Sequence, residues 1–575
     1  MYKLIFCLRY LAFYSCWLTC LALATVSAQQ KPDVAGPGLQ PILQYINNGW
    51  DTLTRSMTDC TSIVDPKIVA TPVLYLPAGF PVPPAVEKLR TDCKVDIEHL
   101  PKTIHQLGEV DTSSFQPHGL LYLPNRYVVP GGRFNEMYGW DSYFIILGLL
   151  RDGRTDLARG MVENFFFEIE NYGALLNANR TYYLTRSQPP FLTSMVLAVY
   201  ESEKAAGKND RAWLEHAYPY LEKDYSMWAR EPHLAGSTGL ARYFDFGEGP
   251  PPEGLKDEGA FYRKVISYFM THPEDADHYL VEQESQHAGA GSAGSRYTIT
   301  VCDVATTKAR PECEPPRTIR LSADYYKGDR SMRESGFDIS FRFGAYGAAT
   351  HHYAPVCLNS LLFKEESDMV RISELLGKMS EATTWRERAE TRRKNIQQYL
   401  WDREHGYFFD YQFQFANRST YRYLTTFYPL WAGLATPEQA EAVAKTLATF
   451  EQPGGLLMSP FASGAQWDYP YGWAPVELLA IQGLRRYGFN ADADRVSYKF
   501  LSTVLENFRR DGTIREKYNV VTRSSESQVE VGYQQNVIGF GWTNAAFLEL
   551  LHALPKADVE RLEKEGLASK AAAAN

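Results

Sequence analysis

From residue 118 onward, apolar positions recur at helical spacing, and short loops rich in Gly, Pro and aromatic residues separate the runs. The pattern predicts helices over 141–151, 155–171, 190–206, 209–230, 345–364, 367–377, 382–400, 436–449, 474–487, 490–508 and 541–553. Several begin on good capping residues: Asp141, Ser367, Thr436 followed by Pro437, and Asn490. Two segments break this rhythm. At the N-terminal side, a helical pattern at 40–57 precedes a Pro-rich, β-biased stretch at 66–84, so 29–115 reads as an extension packed on the main domain. Within 116–560, an interruption at about 255–330 carries an Ala-Gly-Ser run (288–295) and a strand-like stretch (297–304), and reads as a small β-rich insertion. The fold class is therefore all-α, with chemistry in the loops and a tail at 561–575. No internal repeat is visible, so the pattern alone does not fix how the helices close.

Composition adds bounds. The chain has 575 residues, 45% of them hydrophobic, enough for a large core. Its net charge is -9 with no basic run, which argues against nucleic acid and anionic membranes as partners. Lys3, Arg9, the apolar run 11–23 and Val26-Ser27-Ala28 read as a secretory signal over 1–28, which predicts a periplasmic or secreted protein. No later run is apolar over the ~20 residues that would span a bilayer. Of eight cysteines, three lie in the leader; Cys60–Cys93 and Cys302–Cys313 are the simplest pairs, and Cys357 sits in an apolar stretch as a buried thiol. No spacing suggests a metal site, because the adjacent His351 and His352 would point apart on a helix. Neither metal nor cofactor is expected, and a monomer is the working expectation.

The densest polar-aromatic stretch is Pro130-Gly131-Gly132-Arg133-Phe134-Asn135-Glu136-Met137-Tyr138-Gly139-Trp140-Asp141-Ser142-Tyr143. Aromatic faces stack on sugar C–H faces, and Arg and Asp bond hydroxyls, so the mixture suits a neutral polyhydroxylated ligand. Gln466-Trp467-Asp468-Tyr469-Pro470-Tyr471-Gly472-Trp473-Ala474-Pro475 has the same character. Together they resemble the two hallmark motifs of the trehalases of glycoside hydrolase family 37. That resemblance implies an (α/α)6 toroid with its site at one end, and inverting hydrolysis of a disaccharide, α,α-trehalose. An inverting pair of carboxyls stands roughly 6.5–9.5 Å apart to admit water.

The family's residues carry over motif by motif. Glu334-Ser335-Gly336-Phe337-Asp338 resembles the acid motif, which implies Asp338 as general acid; its aromatic and small neighbours would raise its pKa. Glu516-Lys517-Tyr518-Asn519 resembles the base motif, with Asn519 in place of an Asp, and implies Glu516 as general base. The motif 177–190 implies sugar contacts from Asn177, Arg186 and Gln188, with Asn179 and Arg180 structural. The first motif implies contacts from Arg133, Phe134, Tyr138, Trp140 and Asp141, and the second makes Trp467 part of the pocket wall. Two departures fall on the leaving-glucose side. Pro251-Pro252-Glu253 keeps the Glu of the family's Arg-Pro-Glu but not the Arg, with Arg310-Pro311-Glu312 a less fitting match, and Tyr533 stands where a lid Glu would be. Two alternatives stay open: the same machinery acting on another α-glucoside, and a non-catalytic sugar-binding toroid.

Overall fold

The computed structural model describes residues 36–64, 71–253, 257–276, 278–283, 297–301 and 317–572. The leader, the low-complexity run, the Cys302–Cys313 pair and Arg310-Pro311-Glu312 lie outside them.

The described chain opens with helix α1 (Gln40–Leu53) and a three-stranded parallel sheet. In that sheet β1 (Val73–Leu76) lies between β2 (Asp96–His99) and β3 (Leu120–Leu121), in the β-biased region. Cys60 and Cys93 form a disulfide within this extension, and Cys357 is a buried thiol.

The helices that follow are α2 (Gly139–Arg151), α3 (Thr155–Asn171), α4 (Leu192–Ala205), α5 (Arg211–Trp228), α6 (Glu258–Thr271), α7 (Ala323–Glu334), α8 (Val356–Leu375), α9 (Met379–Tyr399), α10 (Tyr428–Ala432), α11 (Pro437–Lys445), α12 (Ala474–Arg486), α13 (Asn490–Asp511), α14 (Gly541–Ala553) and α15 (Lys556–Ala572). Among the described residues, α2, α4, α8, α10, α12 and α14 each pack on the next, and α14 packs back on α2, closing a ring. Helices α3, α5, α9 and α13 back this ring from outside, and α1 covers α14. The architecture is an (α/α)6 toroid. No helix among the described residues is long and apolar enough to cross a membrane.

Composition decides which ring a helix joins. Helix α2, GWDSYFIILGLLR, is buried almost all round, as an inner helix must be. Helix α9 is mostly polar and buries Ala382, Trp385, Ala389, Arg392 and Ile396, one stripe at helical spacing. Gly148 lets α2 approach α14 closely: a Cβ there would meet the Ala545 Cβ and Trp50 at 2.8 Å. Thr436 and Gln439 form a capping box at the start of α11, with Pro437 in its first turn.

Four expectations need correction. The predicted helices 345–364 and 367–377 are one helix, α8, in which Ser367 is internal and bonds the Phe363 carbonyl. Residues 345–355 form short 3-10 turns instead, because Gly344, Tyr346 and Gly347 adopt positive φ. Asp141 does not cap α2; it lies buried in the first turn behind Tyr138. The insertion also contains a helix, α6, beside an antiparallel sheet in which β6 (Arg317–Leu321) pairs with both β4 (Leu280–Gln283) and β5 (Thr298–Val301). Finally, α15 runs across the boundary placed at 560.

Candidate active site

The loops at one end of the ring surround a cavity of about 1560 Å³. All twelve candidate residues line it: Arg133, Phe134, Tyr138, Trp140, Asp141, Asn177, Arg186, Gln188, Glu253, Asp338, Trp467 and Glu516. They come from six motifs spread over nearly 400 residues, and only folding brings them together.

The floor is aromatic. Trp467 stacks on Trp473 with centroids 3.7 Å apart and planes 7° apart. Trp140 meets Phe337, Trp467 and Trp542 at 5.5, 5.9 and 5.8 Å. Gly336, at φ 76°, keeps the Asp338 loop on this floor, since a Cβ there would meet the Trp140 indole at 2.9 Å. The Gln188 side-chain Oε1 accepts a 3.0 Å hydrogen bond from the Trp140 backbone N–H, fixing the start of α2. Asn177 Nδ2 donates to the Ser187 carbonyl at 3.3 Å. Arg133 sits at the exposed rim, where its guanidinium lies over Phe134 and donates to Gln535 at 3.3 Å. Tyr138 faces Tyr183, with hydroxyls 3.3 Å apart. Asn179 and Arg180 serve the scaffold: Asn179 ties the Met137 N–H to the Leu121 carbonyl, and Arg180 Nε pairs with Glu136 at 2.6 Å.

The carboxyls differ in setting. Burial pushes Asp338 up to about 7, against the pull of Arg333 and Arg186. Its backbone carbonyl accepts from the Gln466 side chain. The Glu516 carboxylate accepts a 2.8 Å hydrogen bond from the wholly buried Lys517 ammonium, which also lies 4.9 Å from the Trp473 ring centroid. Its backbone carbonyl is held by Trp542 Nε1 at 3.2 Å. Burial raises Asp141 well above the usual carboxylate range, and the charges of Glu516 and Asp338 add to the effect.

The side of the cavity where the sequence shows departures combines Glu253, Arg186 and Tyr533 with groups the motifs did not name, Arg333 first among them. Glu253 pairs with Arg186 and lies 3.9 Å from Arg333. Burial acts to raise the Glu253 pKa, but the two guanidinium groups outweigh it and hold the carboxyl below its usual range. Arg333 thus stands near Glu253 although Pro251 supplies no cation. Its signal was local: it directly precedes the acid motif. Tyr533 is half-buried and bonded to Arg333. Asp257, Phe261 and Lys264, at the start of α6, bring the insertion into the wall, with Glu530 beside them.

A toroid of paired helices with acid groups facing an aromatic-floored, polar-lined cavity fits a glycoside hydrolase, and the relatives of this chain make that class specific. The trehalase family model matches residues 83–292 and 263–555. A probable trehalase of Eremothecium gossypii is 35% identical over 87% of this chain and 70% of its own length. The cytosolic neutral trehalase of Saccharomyces cerevisiae is 34% identical over 87% of the chain and 69% of its own. The solved neutral trehalase Nth1 of the same yeast superposes with a TM-score of 0.71 at 31% identity, covering 92% of this chain and 96% of that one. This chain belongs to the trehalase family, and it is a glycoside hydrolase of trehalase type.

The same relatives overturn the expectation of export. Those from Saccharomyces cerevisiae, Neurospora crassa and Beauveria bassiana are named cytosolic, which conflicts with a signal peptide and with a periplasmic or secreted location. An apolar run behind two cations, followed by the small residues Val26-Ser27-Ala28, meets the pattern of a leader, but that pattern does not by itself establish export.

Proposed function

We propose that this chain hydrolyses α,α-trehalose to two glucose molecules, with inversion at one anomeric carbon. Asp338 gives its proton to the bridging oxygen as the glycosidic C–O bond breaks. Glu516 takes a proton from the water that forms the new C–O bond on the opposite face. Solvent then returns a proton to Asp338 and removes one from Glu516. Trp140, Asp141, Asn177, Arg186, Gln188 and Trp467 hold the glucose being attacked, while Arg133, Phe134, Tyr138 and Glu253 complete the pocket. The observation that carries this reading is the convergence of all twelve residues on one cavity, with Asp338 pushed to about 7 so that it keeps its proton near neutrality.

On the same footing, we assign the residues up to about 115 as an extension packed on a catalytic unit that begins near 116, with the insertion at about 255–330 and helix α15 as its C-terminal element. The protein is taken to work as a monomer without metal or cofactor in catalysis. A second reading, another α-glucoside as substrate, is favoured by two features. The insertion lines the cavity through Asp257, Phe261 and Lys264, and Tyr533 stands in for a lid Glu. Comparing kcat/KM on trehalose, kojibiose, nigerose and maltose separates the two. Early proton NMR of trehalose hydrolysis tests the mechanism. One β-glucose and one α-glucose per bond cut are expected, and two α-glucose molecules would mean retention.

A further inference from the structure

Asp324, in the first turn of α7, is the meeting point of three imidazoles from two other segments. His278 lies just before β4 of the insertion, and His351 and His352 lie on the 3-10 turn Thr350–His352. His278 Nε2 is 2.7 Å from Asp324 Oδ2, His352 Nε2 is 3.4 Å from the same oxygen, and His351 Nε2 is 3.0 Å from Oδ1. The ligand atoms of His278, Asp324 and His352 all lie within 4.8 Å of one another, and no other group of three such residues does so among the described residues. His351 and His352 are neighbours in sequence, yet both rings turn toward Asp324 and come together, with centroids 3.7 Å apart.

Two nitrogens facing one carboxylate oxygen, one of them at 3.4 Å, make a loose hydrogen-bond pair but a good cradle for a cation. Ligands of a tetrahedral zinc-class ion lie at about 2.0 Å from the metal and therefore roughly 3.3 Å from each other. Small side-chain rotations span the difference. His351 supplies what such sites commonly carry behind the ligands, a group that fixes the carboxylate through its other oxygen. The His351 backbone is itself held, its carbonyl accepting from Arg242 at 2.9 Å. His278 is half exposed, which leaves an approach for the ion and room for water in a fourth position.

We propose that His278, Asp324 and His352 bind one divalent first-row transition ion of the zinc class, with solvent as fourth ligand and His351 orienting the carboxylate. The ion clamps the segment before β4 and the turn Thr350–His352 to the start of α7, the helix whose other end carries Arg333 into the cavity. Ligands drawn from three segments can all face the ion only in the folded chain, so binding stabilises that state.

Tag-free full-length protein, stripped with a chelator, equilibrated with zinc chloride and desalted, is analysed for metal content and thermal unfolding. About one zinc per chain and a zinc-dependent rise in Tm are expected. His278→Ala removes a half-exposed ligand and should still fold. It should lose the Tm response and bind zinc at least tenfold more weakly in competition with a chromogenic chelator. Asp324→Asn should weaken binding likewise. Wild-type protein that retains no zinc, or a His278→Ala variant that retains as much as wild type, would overturn the proposal.

Discussion

Arg333 donates a 2.9 Å hydrogen bond from Nη1 to the Tyr533 hydroxyl, joining two residues 200 positions apart at the wall of the cavity. Its Nε lies 3.9 Å from the Glu253 carboxylate. Because Arg333 lines the cavity on the side of the departing glucose, we infer that it bonds that sugar. A charged hydrogen bond contributes about 1.5–3 kcal/mol, so Arg333→Gln should lower kcat/KM for trehalose by roughly 10–150-fold. Tyr533→Phe, which removes a neutral hydroxyl, should have a smaller effect. With α-glucosyl fluoride, which has no second sugar, Arg333→Gln should change kcat/KM little. An equal loss on both substrates would move Arg333 to the inner sugar.

The pH profile follows from Asp338. The carboxyl works protonated, and burial sets its value at about 7, so kcat/KM should turn down on the alkaline side near pH 7. Arg333 and Arg186 both pull that value down. Removing the Arg333 charge should therefore move the alkaline limb to higher pH. A limb that stays in place in Arg333→Gln would show that another group controls it.

Much of this site was legible because its residues cluster in short loops of unusual composition, such as 130–143 and 466–475. Arg333 directly precedes the acid motif, yet its role escaped because its partners Glu253 and Tyr533 are remote in sequence and only folding joins them. Helix α7 escaped for a related reason. Its sequence ADYYKGDRSMRE has no apolar stripe; Arg330 and Arg333 are buried through ion pairs with Asp245 and Asp329. The stretch 345–355 misled in the opposite direction. Its residues suit a helix by composition, but positive φ at Tyr346 and Gly347 turns the chain.

Asp338 should also weaken the fold at alkaline pH. The folded chain holds its proton up to about 7, whereas an unfolded chain releases it near 3.8. Stability is thus lost as pH rises between those values, and no further loss comes from this group above them. Asp338→Asn does not titrate, so at pH 8 it should unfold at higher temperature than wild type, by an amount equivalent to roughly 1–4 kcal/mol. At pH 4 the difference should largely vanish. Equal melting curves at pH 8 would contradict the burial of this carboxyl.

Gly148 gives a prediction about the ring itself. Replacing a helical Gly by Ala usually stabilises by ~0.5–1 kcal/mol. Here the added Cβ meets Ala545 and Trp50 at 2.8 Å, so α2 and α14 would have to separate. Gly148→Ala should lower stability, and Gly148→Val should lower it by about 1–3 kcal/mol or more. Thermal or denaturant unfolding reads this directly, and a stabilised Gly148→Ala variant would refute the close approach.

The catalytic pair is tested most directly by kcat on trehalose for Glu516→Gln, measured on protein whose melting temperature matches wild type. Amide in place of carboxylate keeps the shape and removes the base, and acid–base assistance contributes ~10²–10⁴-fold. The expected result is a fall in kcat of at least that order with the fold intact. A normally folded variant with near-full activity would contradict Glu516 as the base and, with it, the proposed mechanism.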